Sequence, residues 1–559
     1  MKPVLNPRVL DAILDTTDTP PWRDDPQAAS SPVPSLQEIL QILRERIWQR
    51  RPILGEIMQK HGGKTLHHYA QDFLDVNPSP LLDERKPELI EVARQIIEKR
   101  LGKETADHVA RQLARLPLVS TTDHHSTIDH PFWVNANIIS AIPYLGLMDP
   151  AMRHLVVFSF SSVSLNNASG YPRGMLFHGG MNGSGNLIRL PILPDTVKMS
   201  TVYGTRAFTR DDITKAESQL LKREKAGDIA AGRGEKIRAL LEREFARPDV
   251  LAAPDLCSQI TMINHALWPK LFHATWHRPA QTIPDLLYLE IETLVKELLL
   301  QKHLDDPTSL LHRFLFDPAC TPLVHEHFNN LPGAFSLEKE WGTYLFWALD
   351  DENHRVRLKL ENGVLRSFGG TIAVPCTPEG VGNALQRGRI FPSMLTCYLA
   401  VALYYGFKCL GGFCQVHDLT LVKQSWARML RAMGENEEAD AIMPIQTKEL
   451  GGDGMVLTYF KTVKNEIVPA TGVDMILEDA DTSFERYVDL SRRIMLTEAM
   501  QSMLPEMYTV LYPSEERDQT LASVKPERIL AGTGLRSKIL AEREEWNTVH
   551  EGKDHCLCH

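Results

Sequence analysis

What the chain lacks narrows its class first. No stretch approaches the roughly 20 uninterrupted apolar residues of a membrane span. The richest, Met394 to Tyr405, is broken by Gly406 and Lys408 and reads as a buried helix. Surplus positive charge is missing as well. With 61 Lys and Arg against 71 Asp and Glu, the net charge is −10. That excludes a general nucleic-acid or anionic-membrane surface and leaves room only for a local basic pocket. Cysteine is scarce, eight in 559 residues and unpatterned, as reduced thiols in a cytosol would be. Met1 to Arg23 lacks the basic start and apolar run of a signal peptide, so a cytoplasmic location is expected. Neither GxxxxGKS/T nor GxGxxG occurs, no internal repeat is found, and low complexity is confined to a proline-rich start.

What is present is the composition of a soluble globular protein, 43% hydrophobic and 24% charged. The length suits about two to four structural units. Residues 1–35 read as an extended arm. Residues 36–207 read as the first part of an α/β core with a helical cover, opened by Ser35 and Glu38 as a capping box. A helix over about 89–116 is expected to break at Gly102. Residues 208–250, highly charged around a Gly-rich joint, predict a helical hairpin, either a solvated lever or a homodimerisation arm. Residues 251–464 read as the second part of the core. It begins with SQITMINHALW as a strand passing into a helix, and 284–303 reads as one amphipathic helix. WALDDENHRVRLKLENGVLRSF then predicts antiparallel hairpins turning at Asp350-Asp351 and Asn362-Gly363. Residues 465–559 read as a helical C-terminal region.

The stretch Pro117 to Gly185 carries the chemistry. LVST reads as a strand, TDHHSTIDHP as a loop, FWVNANIISAIPYLG as a helix and HLVVFSF as a strand buried on both faces. This βαβ order predicts a mainly parallel sheet with helices on both sides, and in such sheets ligands sit beyond the carboxyl ends of the strands. Those ends carry TTDHHS and SSVSLNN. His124 and His125 are the candidates for proton transfer and for polarising an acceptor, since imidazole exchanges protons near neutral pH. Asn137, Asn166, Asn167, Tyr171 and His178 are the candidates for orienting a substrate. Arg173 is the candidate for holding a carboxylate or phosphate. A second glycine turn, Gly411-Gly412, follows the predicted strand FKCL and opens a helix expected to begin near His417-Asp418, a geometry that can offer N–H groups to a phosphate. A metal site built from His124, His125, His130 and His178 stays open as an alternative, and zinc at His555, Cys556, Cys558 and His559 is disfavoured by their tight spacing.

The order of these segments resembles the cysteine-adding enzymes of bacillithiol synthesis, a ligase family with a Rossmann-like core and a coiled-coil arm. His124-His125, Pro131-Phe132-Trp133 and Asn137-Ile138-Ile139-Ser140 occupy the places of that family's glutamine pair, helix start and Lys-Ile-Ile-Ser run. WALDDENHRVRLKLENG is similar to its acidic turn and strand, and CLGGFCQVHDLTLVKQSWARMLRAMG to its Ala-Gly-Pro-Gly-Glu loop and following helix. The likeness spans roughly residues 115–435 and departs at the pocket: histidines replace the glutamines, Asn137 the lysine, and SVSLNN the acidic cluster. The resemblance implies a Rossmann-like ligase that condenses an amino acid, or another small amine or thiol, with a carbonyl or carboxylate acceptor. It also implies ATP or ADP held near Gly411, Gly412 and Gln415. A metal-dependent hydrolase or oxygenase and a non-catalytic ligand-binding relative remain the alternatives.

Overall fold

The computed structural model describes residues 34–539, apart from 78, 145–148, 150, 168, 180–186, 273–282, 462–466 and 478–482. The extended arm before residue 34, most of the HGGMNGSGN glycine run and the HCLCH tail lie outside the described residues. The organising element is a four-stranded parallel sheet. It contains β1 (Leu118–Ser120), β2 (His154–Ser159), β5 (Asp285–Glu290) and β13 (Lys408–Leu410), in the order β13-β1-β2-β5. Two hairpins pair β3 (Gly174–His178) with β4 (Leu187–Pro191), and β6 (Phe335–Ser336) with β7 (Trp341–Gly342). A five-stranded antiparallel sheet runs β11-β10-β9-β8-β12. Its members are β8 (Phe346–Leu349), β9 (Arg355–Glu361), β10 (Val364–Ser367), β11 (Ala373–Pro375) and β12 (Ile390–Pro392). A last pair joins β14 (Tyr459–Lys461) to β15 (Ile467–Pro469).

The central strands are buried at every position but Asp285 because both faces are covered. Leu118, Leu155, Val157, Leu286 and Tyr288 pack into one core with Val134 and Ile138 of helix Pro131–Ala141 and Ile260 of helix Leu256–Leu267. Their alternates Val119, Val156, Phe158, Leu287 and Leu289 pack into a second core. Its other members include Ile97 of helix Lys86–Leu101, Leu113 of helix Lys103–Arg115 and Leu294 of helix Ile291–Leu298. Period-two alternation thus sorts one sheet's side chains into two cores, with helices on both sides. The chain steps outward from β1 through β2 to β5, then returns to place β13 on the other side of β1. That reversal opens a crevice at the strand ends, the usual ligand position in parallel sheets.

Several local expectations match the fold. Ser35 and Glu38 form a reciprocal capping box, and Gly102, at φ 86, separates the two helices of the 89–116 segment. Two expectations are corrected. Residues 284–303 are β5 followed by a helix from Ile291, because Leu286 to Leu289 are buried on both faces and pair with β2. SQITMINHALW is helical throughout, started by Asp255, whose carboxylate accepts the Ser258 N–H. The helical hairpin forms, as Arg210–Ala226 and Ala231–Leu240, but Ile213, Ala216, Leu220 and Ile237 belong to the first core. The hairpin is therefore packed onto the protein rather than held free as a lever.

Candidate active site

Beyond the ends of β1, β2 and β13 lies a cleft of about 360 Å³. Thr121, Thr122 and His124 follow β1; Phe160, Ser162 and Val163 follow β2; Gly412 to Gln415 and Asp418 follow β13. The β8–β9 hairpin closes it with Trp347 and Arg355, and Asp453 lines its floor. The remaining wall includes the aromatic rings of Phe132, Trp133 and Tyr398. Such a mix of apolar wall and few polar groups is typical of small-molecule sites.

His124 enters the cleft as a neutral ring. Its Nδ1 lies 2.9 Å from Asn167 Oδ1, which also receives the Ser169 N–H at 3.1 Å. An atom that accepts from a backbone N–H is an oxygen, so His124 donates from Nδ1 and its Nε2 keeps a lone pair. Burial, with a smaller push from the Arg355 charge, brings its pKa down to about 4. The ring packs edge-on to Trp133, with centroids 5.2 Å apart.

Asp453 stands in the turn Gly451-Gly452-Asp453-Gly454. A Cβ at Gly452, whose φ is 111, would come within 2.7 Å of Ala136 Cα. A Cβ at Gly451 would come within 2.8 Å of the Leu410 side chain. Only glycines let this turn seat so closely against helix Pro131–Ala141 and the end of β13. Asp453 is 6% exposed; Oδ2 accepts the Phe413 N–H at 3.4 Å, while Oδ1 has no hydrogen-bond partner among the described residues. Burial, reinforced by Asp123 and Glu506 nearby, pushes its pKa up to about 7. Asp418, in the first turn of helix Gln415–Ala432, also has an unpartnered Oδ1; burial pushes it up to about 6, opposed by the Arg51 charge. Beside it, burial pushes the Cys414 thiol up to about 12, so the thiol stays protonated.

The sequence candidates divide accordingly. His124, Gly412 and Gln415 line the cleft, and Asn167 holds His124. Asn137 is buried behind it, donating to Asp123 Oδ2 at 2.6 Å and to Trp133 O at 2.8 Å. His125 is fully buried, with Nδ1 2.7 Å from Ser159 Oγ and Nε2 3.0 Å from Cys257 O, and cannot meet a substrate. Arg173 is committed to Asp195 at 2.6 Å and its Nη2 is 3.4 Å from the Tyr171 hydroxyl, outside the cleft; Tyr171 lies between Arg173 and Arg189. The expectation that Arg173 shares the crevice with the histidines is corrected, because the β3–β4 hairpin carries it away. His178 pairs with Asp474, which also binds Arg233. Asn166 is not among the lining residues; its backbone N–H donates to Lys198 O at 3.0 Å.

Two implied ligands do not fit. The Gly411 N–H is taken by Glu449 O at 3.0 Å, the Phe413 N–H faces the Asp453 carboxyl, and Gln415 Nε2 donates to Thr121 Oγ1. A triphosphate at this glycine turn would meet a carboxyl instead of free donors. The four histidines of the metal alternative do not converge either, since Asn167, Ser159, the Phe132 N–H and Asp474 each claim one of them. His125, Cys257 and Glu290 do lie together, but Arg100 already supplies the cation there through two bonds of 2.5 Å to Glu290. Burial would raise Glu290; the Arg100 charge overcomes it and takes the carboxyl down to about 2, while burial keeps Cys257 a thiol.

Arg355, Asp418 and Asp453 are the residues that sequence reasoning missed. The GGDG turn is a local signal for Asp453, but Arg355 differs from Arg357 only through tertiary placement. No protein-family model matches this chain, and no curated protein is significantly similar to it.

Proposed function

We propose that the chain is a biosynthetic enzyme that joins a small amine or thiol to a carbonyl acceptor in the strand-end cleft. The observation that carries this reading is the pair Asp418 and Asp453 in one cleft, each with an unpartnered oxygen, at about 6 and about 7. Near neutral pH the first is mostly ionised while the second still holds much of its proton, which supplies a base and an acid together. Asp418 takes a proton from the amine as its nitrogen lone pair attacks the carbonyl carbon. The C–N bond forms, the C=O π pair moves to oxygen, and Asp453 gives that oxygen its proton. In the dehydration that follows, Asp418 returns its proton to the departing hydroxyl as water. Asp453 takes the second nitrogen proton, leaving a C=N bond and both carboxyls in their starting states. A thiol stops at the addition product. His124, neutral, receives a hydrogen bond on Nε2 from a donor on the acceptor; Asn167 acts through it as a positioning residue.

The βαβ unit and the β8–β10 hairpins, where the likeness to the cysteine-adding enzymes lay, support a Rossmann-like relative of that family whose pocket has changed. The test is a panel of primary amines with aldehyde and keto-acid acceptors, with products trapped by borohydride and weighed by mass spectrometry. Wild-type protein should accelerate at least one pair over the spontaneous rate, and Asp453→Asn should not. Equal product from both proteins would refute the reading.

A further inference from the structure

Arg355 is the one arginine or lysine among the residues lining the cleft. It opens β9 just after a turn pinned by Asn353, whose Nδ2 donates to Thr201 O and Tyr203 O, each at 3.0 Å. Among the described residues its guanidinium makes no ion pair and no hydrogen bond. It stacks instead on the Trp347 ring, 4.7 Å from the centroid. The residue is exposed, and protein atoms crowding the guanidinium lower its pKa. Glu292 is the carboxylate that acts on it, and both Glu292 oxygens are already bound by Ser161 and Ser162 at 2.8 to 2.9 Å. The more buried arginines are paired instead: Arg100 with Glu290, Arg85 with Glu438, Arg233 with Asp474. An unpaired guanidinium facing a cleft keeps its donors free for an anionic ligand.

We infer that Arg355 is the anion-binding end of the cleft and that the carbonyl acceptor carries a carboxylate or phosphate group, docked on the guanidinium with Trp347 beneath. The planar fork suits two parallel bonds to either group, and the aromatic face behind it fixes its plane. Neutral His124 alongside does not compete for the anion. Arg355 enters the cleft from β9, Asp418 from helix Gln415–Ala432 and Asp453 from the glycine turn, so the cation and the carboxyls come from different elements. An anionic substrate is drawn to Arg355 and held off the carboxyls until its carbonyl is in place. The aromatic walls favour a flat, apolar body between. The inference rests on the cleft being the substrate site, but not on condensation chemistry.

Tryptophan fluorescence reports binding directly, because Trp133 and Trp347 both line the cleft. Wild-type protein would be titrated at pH 7.5 and low salt with benzoate, phenyl phosphate and neutral benzamide. Saturable binding of at least one anion is expected, weakened at least about 10-fold in Arg355→Gln, partly kept in Arg355→Lys, and unchanged in Arg357→Gln, which stacks on Phe368 outside the cleft. The tighter of the two anions assigns the acceptor as carboxylate or phosphate. Saturation by neither anion, equal affinity for benzamide, or undiminished binding in a folded Arg355→Gln protein would overturn the inference. Where Arg355→Gln does not fold, the Arg355→Lys comparison decides, and equal affinity there counts against bidentate docking. Asp453→Asn is expected to keep this binding, so failure of the catalytic reading and failure of the anion site show up separately.

Discussion

Replacing Asp453 with asparagine should make the protein more stable at neutral and alkaline pH while removing turnover. The carboxyl titrates at about 7 in the folded protein against an ordinary value of 3.8. Below 3.8 both folded and unfolded chains carry the proton, and the group costs nothing. As pH rises from 3.8 the unfolded chain releases its proton first, so folding must take up a proton, and stability falls by about 1.4 kcal/mol per pH unit until the folded group ionises near 7. Over that interval the loss reaches about 4 kcal/mol and then levels off. Asparagine does not titrate, and its side-chain oxygen can still accept the Phe413 N–H. The neighbours Asp123 and Glu506 remain in both proteins, so the comparison isolates position 453. Urea unfolding of wild type and Asp453→Asn at several values from pH 4.5 to 8.5 would measure it. The midpoints should lie close together at the acid end and separate in favour of the variant by pH 8. A gap that is constant with pH, or wild type gaining on the variant as pH rises, would refute a carboxyl held protonated by burial.

Four further outcomes follow from the same geometry. Turnover should trace a bell in pH, rising through about 6 as Asp418 ionises to a base and falling above about 7 as Asp453 loses the proton it donates; a profile flat from 5 to 8.5 would contradict those roles. Glu290→Gln should destabilise the fold by about 3–5 kcal/mol in urea unfolding, because it strands Arg100, whose side chain is 9% exposed, without its counter-charge. Gly452→Ala combines φ 111 with a Cβ 2.7 Å from Ala136 Cα, so a loss of at least about 2 kcal/mol and of turnover is expected, read by thermal unfolding and by the trapping assay. Asn167→Ala should lower turnover while leaving benzoate binding at Arg355 intact, since it frees the His124 ring to turn without touching the guanidinium.

The elements legible in the sequence were those whose signals are local. The Ser35 capping box, the break at Gly102, the apolar β2 run and the Asn362-Gly363 turn each rest on neighbouring residues. Where local signals conflicted, the reading failed. DLLYLE ran directly into an amphipathic helix, and a short apolar run does not declare its own period. Ile260, Thr261 and Ile263 favoured a strand by propensity, but burial of one helical face overrode it. The same division holds in the site. His124, Asn167, Gly412 and Gln415 were found because they follow strands that end at the cleft. Arg173 was misassigned because nothing local reveals which way a hairpin folds back, and Arg355 was overlooked because Arg357 beside it looks the same.

By itself, then, the order of apolar runs and turns determined a parallel sheet between helices, with a cleft expected beyond its carboxyl edge. Only the tertiary structure decided which charges meet there. Asp453 and Arg355 reach the cleft from distant segments, through the glycine turn seated on helix Pro131–Ala141 and the hairpin pinned by Asn353. No local sequence pattern encodes that convergence, which buries Asp453 and sets its carboxyl near neutrality, and leaves Arg355 without a counter-ion among the described residues.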